Sequence, residues 1–182
     1  MLEDEQNLVK KLQDGEVQAF DPLYNHYLPK IFRFVLIKVG QREEAEDLTH
    51  QAFLKAWQKI DQYEPKGYSF GSWLYRIARN TVYDYYRKPG RETNKVDLET
   101  LDQISVLDEN QELALDQKME LAEIVSALKK IKEIEKETLI LRFVDDLSLK
   151  ETAQVLGKSE GAVKLIQYRA VKNLKKVLEK ND

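Results

Sequence analysis

The chain has 182 residues, of which 42% are hydrophobic and 34% charged, with no cysteine and a net charge of −3. This composition suits one domain or two small ones, favours helices because glycine and proline are scarce, and excludes disulfides and thiolate metal sites. The sequence has no run of about 18 apolar residues and begins with polar, acidic residues, so we expect neither a membrane-spanning helix nor a signal peptide.

The first ninety residues show helical periodicity in four stretches. Residues 2–12 are amphipathic, and in residues 17–39 apolar side chains recur every three or four positions, with Pro29 as a candidate kink and Gly40 as the end. A third helix is predicted over residues 41–60, where acidic residues in the first turns suit the helix dipole. A loop with Pro65 and Gly67 leads to a fourth helix, which ends at Pro89 and Gly90.

Residues 70–88, the fourth helix, combine six aromatic rings and four basic residues with a single acid. On a helical wheel one face is apolar and predicted to be buried: Leu74, Ile77, Ala78, Thr81 and Tyr85. The opposite face combines rings with polar and charged groups: Trp73, Arg76, Asn80, Tyr83, Asp84 and Arg87. Because rings stack on unpaired bases and arginines bind phosphates or base edges, this face predicts nucleic-acid binding. The alternative is that Trp73 and Tyr83 pack on a neighbouring helix.

Residues 91–112 lose the helical periodicity and are strongly acidic, which predicts a flexible linker. Helical periodicity returns over residues 113–128 and again over residues 133–143. The charge is divided along the chain: residues 70–91 have a net charge of +4, residues 92–137 of −7, and residues 158–182 of +4. Two basic segments on either side of an acidic one favour a nucleic-acid partner.

Residues 147–176 have the pattern of a helix-turn-helix. Ser148 and Glu151 suit a capping box at the start of a first helix, Gly157 suits its left-handed end, and Ser159 caps a second helix. That second helix has an apolar stripe formed by Val163, Ile166, Ala170 and Leu174. Polar positions near its start suit base reading, and the basic residues further along suit phosphate contacts. The alternative is an ordinary amphipathic helix with a solvated, lysine-rich face.

With both basic segments in view, the chain resembles bacterial RNA polymerase sigma factors, most of all the two-domain extracytoplasmic-function group. EEAEDLTHQAFLKAW (residues 43–57) resembles the polymerase-binding motif of that family, and FGSWLYRIARNTVYDYYRK (residues 70–88) resembles its −10-reading helix. LSLKETAQVLGKSEGAVKLIQYRA (residues 147–170) resembles its −35-reading helix-turn-helix. The resemblance implies an all-α fold of two small helical domains, residues 1–90 and 113–182, joined by the flexible acidic linker of residues 91–112.

The resemblance also implies a function and three sets of site residues. The protein would direct core RNA polymerase to promoter DNA and help open the duplex, without catalysing a covalent step. The third helix would dock on a coiled coil of the largest polymerase subunit through Asp47, Gln51, Leu54 and Gln58, a mixed side that suits a protein interface better than a solvated surface. The fourth helix and the loop at about residues 62–69 would bind the −10 element, with one base flipped into a pocket beside the loop, through Tyr63, Tyr68, Trp73, Arg76, Asn80, Tyr83, Arg87 and Lys88. The second helix of the helix-turn-helix would enter the major groove at the −35 element through Ser159, Glu160, Lys164, Gln167, Tyr168, Arg169 and Lys172.

Further partners follow from the family pattern. An anti-sigma factor is expected, and the acidic linker is either a phosphate mimic inside the polymerase or a solvated spacer. His26 and His50 stand at no metal-ligand spacing, so neither a metal nor another cofactor is expected, and no small-molecule substrate. The absence of cysteine is compatible with a reducing cytosol, and we expect a cytoplasmic protein.

Two departures from the family pattern and two competing functions remain open. The stretch Lys130-Ile131-Lys132 lacks the proline that often begins the third-from-last helix in the family. The second helix of the helix-turn-helix has residues 165–168 (LIQY) where small or basic residues are frequent, so the −35 sequence is not predicted. A free-standing helix-turn-helix regulator would leave the Trp73 face unexplained. An enzyme acting on RNA or single strands would need a phosphate loop, a metal cluster or a nucleophile-base set, and the sequence shows none.

Overall fold

The computed structural model describes residues 4–65, 67, 69–89 and 123–180. All regular structure within these ranges is helical, which confirms the predicted fold class. The helices are α1 (Glu5–Gln13), α2 (Phe20–Val39), α3 (Arg42–Gln58), α4 (Phe70–Tyr86), α5 (Glu133–Leu139), α6 (Leu149–Leu156) and α7 (Glu160–Leu178). Residues 123–128 are helical as well, and a π-helical turn, Ile140–Val144, follows α5. No helix in this part of the chain has the length and apolarity to cross a membrane.

Local chemistry determines where several helices begin and end. Gly40 ends α2 with φ 78° and Gly157 ends α6 with φ 63°, a left-handed conformation that glycine adopts without a Cβ clash. Ser148 and Glu151 form the predicted capping box, and the Ser159 side chain accepts a hydrogen bond from the first turn of α7. The turn between α6 and α7 is therefore encoded by residues close to it in the sequence.

The two ends of the chain pack against each other. α2 packs on α3 and α4, α6 packs on α4, and α5 and α6 pack on α7. Buried side chains from both ends, such as Phe34, Tyr75 and Leu141, belong to one continuous hydrophobic cluster. The predicted linker, residues 91–112, lies outside the described residues, and the predicted domain limits stay predictions. Packing of α6 on α4 brings the two predicted DNA-reading segments into contact.

Gly71 lets the first turn of α4 approach α2 closely. A Cβ at this position would lie 2.7 Å from the Tyr27 hydroxyl oxygen. The Tyr27 ring is buried and its hydroxyl donates to the carboxylate of Glu5, which also accepts the backbone N–H of Phe70 at 3.0 Å. Because the ring is held in place, Gly71→Ala is expected to lower the free energy of unfolding by about 1–3 kcal/mol in urea titrations followed by circular dichroism.

The same substitution at Gly161, in α7, is the matched control. A Cβ there would meet nothing within 4 Å. Alanine is favoured over glycine inside a helix by up to about 1 kcal/mol, so Gly161→Ala is expected to leave stability unchanged or raise it. Equal destabilisation by both substitutions would contradict the close approach at Gly71.

Candidate nucleic-acid and protein interfaces

The four predicted polymerase-binding residues lie together on one exposed side of α3. Leu54 has 57% of its surface exposed, although it is a large apolar side chain. The Gln51 side-chain amide donates to the Asp47 carboxylate at 2.7 Å, and Gln58 lies one turn beyond Leu54. The opposite side of α3 is buried through Ala45, Leu48, Ala52 and Ala56. This side of α3 has an apolar residue surrounded by polar ones, and the opposite side of the helix is packed in the core. Such a surface is suited to binding another protein.

The helix α4 has the two faces that its sequence predicts, with one extension. Leu74, Ala78, Thr81 and Tyr85 are buried and Ile77 is partly buried. Tyr75 and Val82 are buried too, and the Tyr75 ring lies 5.4 Å from that of Phe34 in α2. Exposed polar and charged residues form a row along the outer face: Arg76, Asn80, Asp84, Arg87 and Lys88.

The aromatic residues predicted to stack on DNA occupy different environments. Trp73 is half-buried, with its ring 5.2 Å from that of Tyr63 and 5.7 Å from that of Phe70. Tyr63 is buried, and burial raises its pKa to about 12. Tyr68 lies outside the described residues. Trp73 is therefore supported from behind by two further rings and retains an accessible part.

A cavity of about 210 Å³ opens beside Trp73. Its lining combines rings, a guanidinium and amide groups: Gln62, Tyr63, Glu64, Ser72, Trp73, Arg76 and Gln154. Four of these, Gln62, Glu64, Ser72 and Gln154, were not among the predicted site residues. Gln154 is separated from Ser72 by 82 positions, so no sequence period links them, and only the tertiary structure brings them together.

Tyr83 does not lie free on the outer face of α4. Its ring stacks on the Arg79 guanidinium at 4.6 Å and lies 5.2 Å from the Lys38 ammonium. Burial, together with the nearby carboxylate of Glu137, raises the pKa of Tyr83 to about 12. Tyr83 therefore packs within the protein, which agrees better with the alternative of packing on a neighbouring helix than with a freely exposed ring.

The second helix of the helix-turn-helix, α7, presents most of its predicted reading residues to solvent. Tyr168 is 68% exposed, and Glu160, Lys164, Arg169 and Lys172 are exposed as well. The Ser159 hydroxyl is engaged in capping, since it accepts the Ala162 N–H at 3.2 Å. The Gln167 side chain is half-buried and accepts a hydrogen bond from Arg142 at 3.1 Å. The stripe that packs α7 inward is buried at Val163 and Ala170 and half-buried at Ile166 and Leu174.

A buried carboxylate, Asp145, also lies where the two ends of the chain meet. Arg33 of α2 donates to the Val144 carbonyl at 3.1 Å and lies 3.3 Å from an Asp145 oxygen. Burial raises the pKa of Asp145 to about 7, even though Arg33, the Tyr75 hydroxyl and Lys30 each oppose this shift.

This shift predicts a pH dependence of stability. Because the carboxyl titrates near 3.8 in an unfolded chain, the folded protein binds one more proton between about pH 4 and pH 7. The free energy of unfolding is therefore expected to fall as pH rises through this window, by at most about 1.4 kcal/mol per pH unit from this group. Asp145→Asn removes the titration, so urea unfolding is expected to show the variant gaining on the wild type between about pH 5 and pH 7. A difference that does not change with pH would contradict the role of Asp145.

The sequence matches two families. It matches Sigma-70 region 2 over residues 23–92 and Sigma-70 region 4 over residues 127–176. It is 37% identical over 171 residues to the ECF RNA polymerase sigma factor BldN of Streptomyces coelicolor, covering 94% of this chain and 64% of BldN. It is 30% identical over 166 residues to the ECF RNA polymerase sigma factor SigX of Bacillus subtilis, covering 89% of this chain and 84% of SigX.

Two solved structures have the same fold. CnrH, solved in complex with the cytosolic domain of CnrY, superposes with a TM-score of 0.75 at 24% identity, over 98% of this chain and 99% of CnrH. The sigma factor RpoE of Bartonella quintana, solved with the anti-sigma factor NepR, superposes with a TM-score of 0.68 at 25% identity, over 89% of this chain and 98% of RpoE.

Proposed function

The chain belongs to the extracytoplasmic-function group of RNA polymerase sigma factors, and from this membership we propose that it binds core polymerase through α3 and reads a promoter with α4 and α7. In this role the protein is a non-catalytic subunit that directs polymerase to promoters and assists in opening them. The exposed side of α3 that contains Leu54 is the proposed docking surface. Its mixed apolar and polar character and its position on the side of α3 opposite the buried alanines support this assignment.

The cavity beside Trp73 is the observation on which the −10 assignment depends. A base that leaves the duplex loses stacking and pairing, and the protein has to offer replacements. The Trp73 ring offers a stacking surface, and the side chains of Gln62 and Arg76 around the cavity offer hydrogen-bonding groups. The exposed row on α4 starts at Arg76 and continues through Asn80 to Arg87 and Lys88. It would follow the DNA strand away from the cavity, and its basic side chains would contact phosphates.

The −35 element is assigned to α7. Helix-turn-helix proteins read the major groove with the first part of the second helix, where Glu160 and Lys164 are exposed. Arg169 and Lys172 follow on exposed positions and suit phosphates. Tyr168 offers a large exposed ring whose edge is suited to apolar contact with a thymine methyl group.

We also propose a cytoplasmic location and a protein inhibitor. Core polymerase and promoter DNA are the expected partners, and both are found in the bacterial cytoplasm. The similar RpoE was solved with an anti-sigma factor, which supports a partner of that kind for this chain. Its identity is left to direct capture experiments with the full chain.

Promoter-dependent transcription is the test of the proposed function. The protein would be added to core polymerase of its own organism with a library of genomic fragments, and the transcript starts would be sequenced. Starts that share two conserved upstream elements and depend on the added protein are expected. Tight binding to a duplex operator without polymerase, together with no protein-dependent start, would instead identify a free-standing regulator.

A further inference from the structure

The first helix, α1, is hydrogen-bonded to the turn that forms one wall of the cavity beside Trp73. The Gln13 side-chain amide donates to the backbone carbonyls of Ile60 and Tyr63, each at 2.8 Å. Only the NH₂ group of a glutamine side chain can donate to two carbonyl oxygens, so these two bonds fix the direction in which the amide faces. Gln13 therefore joins α1 to a backbone segment that lies 47 to 50 positions further along the chain.

The segment that Gln13 holds supplies part of the cavity lining. Residues 62–64 line the cavity and continue directly from the short 3₁₀ turn Ile60–Gln62. The Tyr63 ring is also one of the two rings that support Trp73, at a centroid distance of 5.2 Å. A shift of this backbone would therefore move the cavity wall and the support of the Trp73 ring together.

The opposite wall of the cavity is held from α1 as well. The buried carboxylate of Glu5 accepts the backbone N–H of Phe70 at 3.0 Å and the hydroxyl of Tyr27. Phe70 is the first residue of α4, and Trp73 follows one turn later. Glu5 begins α1 and Gln13 ends it, so the two ends of one helix hold the two sides of the cavity. Neither residue lines the cavity itself, so both act through the backbone that they hold.

We propose that Gln13 is a positioning residue for promoter opening: its two hydrogen bonds keep the wall formed by residues 62–64 at the separation from Trp73 that one unpaired base requires. The proposal rests on the function proposed above. Groups that receive a ligand have to be held to within about 0.5 Å, and hydrogen bonds from the residues behind them provide this precision. A base that leaves the duplex loses its stacking at once, so it gains most from a cavity whose walls are already in place.

Three substitutions on α1 separate this role from a general effect on folding. Gln13→Met removes both donors and keeps the length of the side chain. Gln6→Met is the matched control, since Gln6 lies at an exposed position of the same helix. Gln13→Lys is the rescue variant, because an ammonium group again offers donors to the two carbonyls.

The test compares two forked promoter DNAs that bind core polymerase together with the full chain. One fork has all its −10 bases, and in the other the flipped base is replaced by an abasic site, whose position is found by scanning with the wild type. The ratio of the two affinities is measured on one preparation, so any loss of folded protein cancels. This ratio is expected to be about 5 or more for the wild type, Gln6→Met and Gln13→Lys, and about 1 for Gln13→Met. The affinity of Gln13→Met for the abasic fork is expected to equal that of the wild type, because no base then enters the cavity.

The outcomes distinguish this proposal from the function on which it rests. A ratio as large in Gln13→Met as in the wild type, with both affinities lowered equally or not at all, overturns the positioning role and leaves the −10 assignment intact. A ratio for Gln13→Lys as low as that for Gln13→Met overturns it too, because the hydrogen-bond donors would then not be what holds the wall. If no abasic site weakens binding by the wild type, no base is held in the cavity, and the −10 assignment fails together with the role of Gln13.

Discussion

Leu54→Glu is expected to weaken binding of core RNA polymerase by roughly 30-fold or more. Leu54 is a large, exposed apolar residue at the centre of the α3 side that also contains Asp47, Gln51 and Gln58. Central apolar contacts of an interface commonly contribute 2 kcal/mol or more, and a buried, unpaired carboxylate adds a desolvation cost, so about 30-fold is a lower estimate. The affinity would be measured by titrating fluorescently labelled protein with core polymerase.

Val17→Glu is the control for this prediction. Val17 is as exposed as Leu54, at 59%, but lies in the turn before α2. The same carboxylate is introduced there, so any general effect of a new negative charge on folding or solubility is shared. Normal polymerase binding is expected for Val17→Glu, and an equal loss in both variants would mean that α3 has no special role.

Trp73→Ala is expected to reduce promoter opening by roughly 5- to 150-fold while leaving core binding unchanged. The estimate corresponds to about 1–3 kcal/mol for one base stacked on an aromatic ring. The Trp73 ring forms a wall of the cavity and is held by Tyr63 and Phe70, so its accessible side is already in position for a base. Permanganate reactivity of unpaired thymines in polymerase–promoter complexes would measure opening, and Asn80→Ala on the same outer row is expected to be impaired as well.

Trp73→Phe separates stacking from stability. A phenylalanine keeps a ring at this position, so promoter opening is expected to return close to the wild-type level. Thermal unfolding of all variants would show whether the packing of α4 is intact. If Trp73→Ala lowers core affinity as much as it lowers opening, the division of the N-terminal bundle into a polymerase face on α3 and a DNA face on α4 is wrong.

The helix-turn-helix and the buried face of α4 could be predicted from the sequence because the features that specify them are local. A capping serine acts within three residues, as Ser148 and Ser159 do, and Gly157 satisfies the left-handed conformation of its own turn. The period of 3.6 residues likewise identified Leu74, Ala78 and Tyr85 as buried, since burial on one side of a helix repeats along the chain.

The positions of the aromatic residues on α4 could be predicted only in part from the sequence. Periodicity placed Trp73 and Tyr83 together on the side away from the core. In the folded chain Trp73 lines a cavity, whereas Tyr83 lies over Arg79 and Lys38 beside a carboxylate from the other end of the chain. A helical wheel shows which residues share one side of α4, but it cannot show which side the C-terminal elements will cover.

The sequence alone thus determined the helical fold, the membership of the sigma family and the faces that its helices present. The tertiary structure decided that the two ends of the chain pack together, that Gln154 completes the cavity beside Trp73, and that Lys38 is paired with Glu137, 99 positions away. The physical reason is that amphipathic periods and capping residues act over one or two turns of helix. A buried ion pair between distant segments depends only on their separation in space, and it leaves no period in the sequence by which its two members could be matched.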